Sequence, residues 1–211
     1  MRAPARSPQS PARAVAPDAA AFARGTGTRN RATGAPPPMH VVLFGAGHVG
    51  HALVALLGAL PCTVQWVDTR DELFPDECPP NVQPEPTDTP EAIVDAAPPG
   101  TYFLVMTHNH ALDFALAEQI MRRRDFAYFG MIGSRTKRVK FERRLAARGV
   151  DPATLVEMVC PIGVAGIVDK APGSIAVAVC AELLQVRAGM PVAGAKAAAA
   201  AAARDDACCL R

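Results

Sequence analysis

Three glycines and one carboxylate mark the part of this chain best suited to hold an anion. Residues 39–60 read MHVVLFGAGHVGHALVALLGAL, with Gly45-x-Gly47-x-x-Gly50 between a short apolar run and an amphipathic one. Asp68 closes the next apolar run, TVQWVD, about twenty residues on, as in a dinucleotide-binding turn. Each position has a physical reason. Gly45 allows a tight turn, Gly47 leaves no Cβ between the backbone and a pyrophosphate, and Gly50 lets helix and strand pack closely. The helix start then offers free amides and a positive dipole end. Asp68 suits ribose hydroxyls and would repel a 2′-phosphate; the plainer alternative is a turn-capping acid. His48 lies inside the turn and either touches a ligand or sits at the surface. His51, one turn on, reads as structural.

Three further segments carry chemistry. Thr107-His108-Asn109-His110-Ala111-Leu112-Asp113 follows an apolar run. Its side chains read first as contacts to an organic ligand, second as helix caps, with Asp113 a first-turn acid. A metal site through His108, His110 and Asp113 comes third, because such sites draw further ligands from elsewhere. Gly133-Ser134-Arg135-Thr136-Lys137-Arg138 opens a segment, 134–148, with seven Lys or Arg and one Glu. Cations in a first helical turn oppose the dipole. Gly133, Ser134, Lys137 and Arg138 therefore read as a second clamp for phosphate or carboxylate, or else as a solvated or protein-docking basic face. Cys160 precedes Pro161-Ile162-Gly163. A thiolate there could be a nucleophile or soft metal ligand; most such cysteines are small buried hydrophobes.

The elements that must position these groups alternate. Strands are expected at 40–44, 63–67, near Val82, at 102–106, at 127–132 and at 158–160. Helices are expected at 48–60, from Pro90 to Ala97 behind an N-capping Thr89, from 111, from Ser134, briefly after Asp151-Pro152, and at 172–188. Val49, Leu53, Leu56, Leu57 and Leu60 form the inward stripe of the first helix. Such alternation predicts a doubly wound parallel sheet with helices on both faces, whose ligands sit at the carboxyl ends of the strands.

Bulk properties set the frame. Half of the 211 residues are apolar and the net charge is +2, so one core is affordable and nothing points to nucleic acid. Six cysteines without CxxC spacing, and no secretory signal, suit a reducing cytosol. No run has the eighteen or so apolar residues of a membrane helix. Residues 1–38, rich in Ala, Arg and Pro, predict disorder; their arginines resemble a transit peptide, but an unstructured extension is preferred. Residues 189–211 read as an Ala-rich solvated tail.

Taken together, LFGAGHVGHALV (43–54), VQWVDTRDELFP (64–75), AAPPGTYFLVMTHNHALD (96–113), FAYFGMIGSRTKRVKFERRL (126–145) and CPIGVAGIVDKAPGSIAVAVCAELL (160–184) resemble the C-terminal Rossmann domain of the xanthine dehydrogenase accessory protein family, XdhC. The resemblance covers about residues 39–188 and implies a Rossmann-like domain in a molybdenum-cofactor chaperone rather than a turnover enzyme. It implies binding and protection of molybdopterin in a mono- or dinucleotide form, sulfuration with a cysteine desulfurase, and delivery to xanthine dehydrogenase or a related molybdenum hydroxylase. His108, His110 or Cys160 would face the dithiolene or metal, with Cys160 and His108 the candidate molybdenum contacts. Family members usually carry a further domain ahead of this one, where this sequence has its first 38 residues. An NAD-dependent oxidoreductase, an NAD-sensing regulatory module and, weakest, a metallohydrolase are the competing readings. A homodimer through the apolar last helix is open.

Overall fold

The computed structural model describes residues 37–190. The expectations for residues 1–36 and 191–211 lie outside the described residues. The strands are β1 (Met39–Phe44), β2 (Cys62–Asp68), β3 (Val82–Pro86), β4 (Tyr102–Val105), β5 (Tyr128–Met131) and β6 (Met158–Val159). All pair in parallel, in the order β3-β2-β1-β4-β5-β6. The helices are α1 (His48–Leu57), α2 (Pro90–Ala96), α3 (His110–Arg123), α4 (Arg135–Ala147) and α5 (Pro172–Arg187).

Alternation along β1 shows how the core divides. Val41 and Leu43 join one apolar cluster, with Leu53 and Leu57 of α1 and Val179 and Leu183 of α5. Val42 and Phe44 join another, with Val94 of α2, Ile120 of α3 and Phe141 and Leu145 of α4. Successive strand residues point to opposite faces, so both faces must be covered, and strands buried on both sides read as continuous apolar runs. The doubly wound expectation therefore holds. Strand order reverses between β1 and β4, which puts the crevice of such a sheet at their carboxyl ends.

Two local expectations change. Helix α1 buries Gly50, Leu53, Val54 and Leu57, while Leu56 is 37% exposed. The buried stripe runs i, i+3, i+4, i+7, and Leu56 sits at its edge. Leu60 lies past the helix end yet still packs on the core. Thr89 precedes α2 without a side-chain cap, although Pro90 takes the first helical position as expected. The Thr89 amide instead donates to Thr87 Oγ1 at 3.2 Å.

Candidate functional site

The β1–α1 turn separates the three glycines by role. Gly45 has φ +121°, and a Cβ there would lie 2.5 Å from the Met106 carbonyl oxygen. A Cβ on Gly50 would lie 2.2 Å from the Gly45 oxygen, so these two residues serve the turn and the close packing of helix on strand. A Cβ on Gly47 would meet nothing within 4 Å, and Gly47 is exposed. Packing does not require glycine there; an open approach to the backbone is what its small size leaves. Gly47 is the N-cap of α1, with no side-chain cap bond and no acid in the first turn. The first-turn amides lack intrahelical acceptors by construction, and no side chain among the described residues caps them. His48 is exposed at the helix start.

Asp68 is more committed than its sequence position suggests. Its Oδ2 accepts the Ala46 amide at 2.7 Å and Arg70 Nη2 at 3.0 Å. Its Oδ1 accepts the Arg70 amide at 3.0 Å and Arg70 Nε at 2.9 Å. Burial would raise this carboxyl; the hydrogen bonds from Arg70 and from the Ala46 amide outweigh it and hold the group below its ordinary range. Four donors fill its acceptor positions. The expected free ribose acceptor is thus an internal tie between β2 and the glycine turn. Trp66 supports the same turn, donating from Nε1 to the Gly45 oxygen at 3.0 Å. His51 is structural as expected, with its Nε2 2.8 Å from the Leu73 carbonyl oxygen and its ring edge-on to Trp66. The crevice beside the turn, reached by Gly45, Asp68, Thr107 and His108, holds only about 10 Å³, about enough for a single water.

At the end of β4, capping wins over ligand contact. Asn109 accepts the amides of Ala111 at 2.9 Å and Leu112 at 3.3 Å. Asp113 is the acid of the first turn of α3, as expected, and it is wholly buried. Thr107 Oγ1 donates to its Oδ1 at 2.7 Å, and Lys137 Nζ donates to its Oδ2 at 2.6 Å. His108 and His110 are exposed, with His110 Nδ1 3.9 Å from Asp113 Oδ2. Among the described residues no three His, Cys, Asp or Glu side chains gather as a metal-ligand set. The metal reading of His108, His110 and Asp113 loses its acid because Lys137 neutralises it.

At the end of β5, the expected anion clamp is largely filled by the chain. Ser134 caps α4, accepting the Lys137 amide at 3.2 Å, as its sequence position predicts. Lys137 Nζ reaches Asp113 and also donates to the Ile132 carbonyl at 2.9 Å. Arg138 Nε donates to Glu142 at 2.7 Å. The dipole cost that suggested a missing anion is met by two internal carboxylates. Arg135 remains exposed. A Cβ on Gly133 would lie 2.7 Å from Lys137 Cδ and 3.1 Å from Cys160 Sγ, so this glycine makes room for side chains rather than for a ligand. Cys160 is 2% exposed, and burial pushes its thiol up to about 11 despite the pull of Lys137 and Arg138. A thiol so raised is a poor nucleophile near pH 7 in the absence of a metal.

Two clefts flank α4. One, of about 760 Å³, is lined by Thr107, His110, Gly133, Ser134 and Lys137 with the basic residues Lys140, Arg143 and Arg144. The other, of about 840 Å³, is lined by Arg135, Arg138, Cys160, Ile162 and Glu182 among others. The expected site residues therefore fall into three neighbouring places along one sheet edge rather than one pocket. Sequence reasoning missed Glu182, Trp66 and the pairing role of Asp113. For Glu182 a signal existed: it is the single acid in the otherwise apolar run IAVAVCAELL of α5.

No helix among the described residues is long and apolar enough to cross a membrane. Comparison with known proteins agrees with the geometry. The curated relative YqeB of Escherichia coli (strain K12), an uncharacterized protein, is 31% identical over 157 residues, 72% of this chain and 28% of that protein. The crystal structure of a xanthine dehydrogenase from Bacillus halodurans matches with TM-score 0.61 at 22% identity, covering 74% of this chain and 44% of that one; this is a likeness of fold. The chain spans less than half the length of either. The model of the XdhC Rossmann domain matches residues 41–183, nearly the whole sheet, the first four helices and most of α5, and the chain belongs to that family.

Proposed function

We propose that this protein is an accessory carrier that holds the molybdenum cofactor, in a mono- or dinucleotide form, at the carboxyl edge of its sheet. It shields the cofactor, supports its sulfuration with a cysteine desulfurase, and passes it to xanthine dehydrogenase or a related molybdenum hydroxylase in the cytoplasm. One observation carries the reading. Of the five described helices, α3 and α4 are capped by Asn109 and Ser134, and α2 and α5, also without a side-chain cap, open on a proline that lacks an amide donor; α1 alone of the five has neither a side-chain cap nor a first-turn proline and begins at a glycine with open space around it. An uncapped helix start beside a glycine with open space above it fits a phosphate or pyrophosphate, which takes the free amides and the dipole end.

The residues present fit the phosphate end of the group. Gly47, with the amides of His48 and Val49, would hold it, while Gly45 and Gly50 keep the turn in shape and Asp68 ties the turn to β2. When bound, the group supplies molybdenum redox chemistry, which belongs to the recipient enzyme. The chain's own part is to bind, orient and cover. Cys160, as a neutral thiol, and His108, exposed beside the small crevice, are left without an assigned metal bond. Nicotinamide dinucleotide would also place a pyrophosphate on this turn. The commitment of Asp68 to Arg70 and Ala46 weighs against it, since no acceptor is left for the ribose.

The test is purification from cells that make the cofactor, followed by assay of bound molybdenum and of oxidised pterin fluorescence. Both are expected with the wild-type protein. Gly47→Val is expected to lose both with little change in the thermal midpoint, because its side chain enters the ligand's space and not the protein's. A folded Gly47→Val protein that keeps its pterin overturns the assignment.

A further inference from the structure

Beyond its first turn, α4 carries cations that no carboxylate answers. Lys137 and Arg138 are paired with Asp113 and Glu142, and Arg148, past the helix end, pairs with Glu118. Lys140, Arg143 and Arg144 are exposed, and none forms an ion pair among the described residues. They stand three or four positions apart on one helix face, where like charges repel. The gathering is not a general excess of positive charge. Residues 122–148 hold ten Lys or Arg against two acids, while the other described residues hold three against fifteen. An anionic partner is thus drawn to α4 and repelled by the rest of the domain, which orients its approach. The same three cations line the cleft of about 760 Å³, together with Ile132 and Phe141. Phe141 is buried and Ile132 half-buried, so the cleft has an apolar interior and a cationic rim. Thr107 and His110 bring the β4–α3 junction into the lining.

We propose that this cleft docks an acidic peptide segment of a partner protein. One bulky apolar side chain of the segment sits against Phe141 and Ile132, and flanking Asp or Glu carboxylates meet Lys140, Arg143 and Arg144. Size and composition select this class of anion. A lone phosphate would leave the apolar interior uncovered. A single-stranded nucleic acid stacks its bases on aromatic side chains, and no Phe, Tyr or Trp stands among the exposed large apolar residues of the described chain. A helix that lies on a membrane turns an apolar face to the lipid, whereas α4 buries its Phe141 and Leu145 in the domain. An apolar anchor in a pocket with a charged rim is the common plan of a protein docking site. The inference goes beyond the carrier reading and needs no bound cofactor.

The test uses the purified full chain and two fluorescein-labelled peptides, read by anisotropy. One has a phenylalanine flanked on each side by a pair of glutamates; the other has alanine in its place. The phenylalanine peptide is expected to bind about tenfold tighter, the loss typical of truncating an anchor, and to weaken as salt screens the rim charges. Equal affinity of the two peptides, or binding by neither, overturns the proposal without needing a variant. Lys140→Glu with Arg143→Glu is expected to weaken the phenylalanine peptide about tenfold or more with the thermal midpoint kept, since both side chains are exposed. Arg124→Glu with Lys170→Glu makes the same change of net charge away from the cleft and should leave binding within about twofold. Equal losses in the two double variants overturn the proposal, because net charge alone would then explain them. Tighter binding of a single-stranded oligonucleotide or of phosphatidylserine vesicles, lost with Lys140 and Arg143, also overturns it and gives the surface to that ligand. Absence of molybdenum from the purified chain sinks the carrier reading and leaves the peptide result standing.

Discussion

Two strand-to-helix turns at the same sheet edge meet the same electrostatic problem in opposite ways. At β5–α4, Ser134 caps the helix, Lys137 is drawn inward to Asp113, and Arg138 pairs with Glu142. At β1–α1, no side chain caps the helix and the space above Gly47 is open. The basic turn looked the more eager for an anion, yet its charges are consumed at home; the turn without basic residues is the one left open. Local charge density is therefore a poor guide to ligand demand. What counts is whether the fold has already supplied the partner.

The largest expected effect tests the filled turn. Lys137→Met strands the carboxylate of Asp113, which is wholly buried, with only the Thr107 donors. Removing one partner of such a pair should cost about 3–5 kcal/mol in denaturant melts. A loss below about 1 kcal/mol would show that Lys137 is free to serve a ligand, and the contrast between the turns would fail. Next comes the glycine pair. Gly50→Ala places its methyl against the Gly45 carbonyl and should cost about 2–4 kcal/mol. Gly47→Ala, which puts alanine at the N-cap of α1, should cost no more than about 1 kcal/mol. Equal losses at both positions would mean that Gly47 is structural after all.

Asp68→Asn should destabilise by about 1–2 kcal/mol at neutral pH. The folded carboxyl lies below its ordinary value. Its contribution is therefore complete above the unfolded pKa, about 3.9, and fades as pH falls through the folded value. The gap between wild type and variant should narrow below about pH 4. A gap that persisted at lower pH would place the ion pair with Arg70 outside the account. The smallest effect is at Cys160. With its thiol pushed up to about 11, only about 0.1% is thiolate at pH 8, so alkylation in the native state should be slow and should rise steeply above about pH 10. Rapid labelling at pH 8, with the protein folded, would return Cys160 to the list of reactive groups.

Much of this was legible in advance. Apolar runs such as YFLV of β4, buried on both faces, announced central parallel strands. The roles of Gly45 and Gly50 followed from spacing because a tight turn and a close helix–strand contact are local geometry. Ser134 was a readable cap for the same reason. Asp68, Lys137 and Cys160 were not readable in full. Their states depend on neighbours distant in sequence: Ala46 lies 22 positions from Asp68 and Asp113 lies 24 from Lys137.

Sequence alone determined the order of strands and helices, the glycine turn and the faces that must be buried, since periodicity and backbone freedom are properties of neighbouring residues. Tertiary structure decided which charges are spent and which are spare. It joined Lys137 to Asp113, tied Asp68 to Arg70 and Ala46, buried the Cys160 thiol, and left one oxygen of Glu182 beside a cleft. Electrostatic partnership acts through space between groups far apart along the chain, and only folding sets those distances.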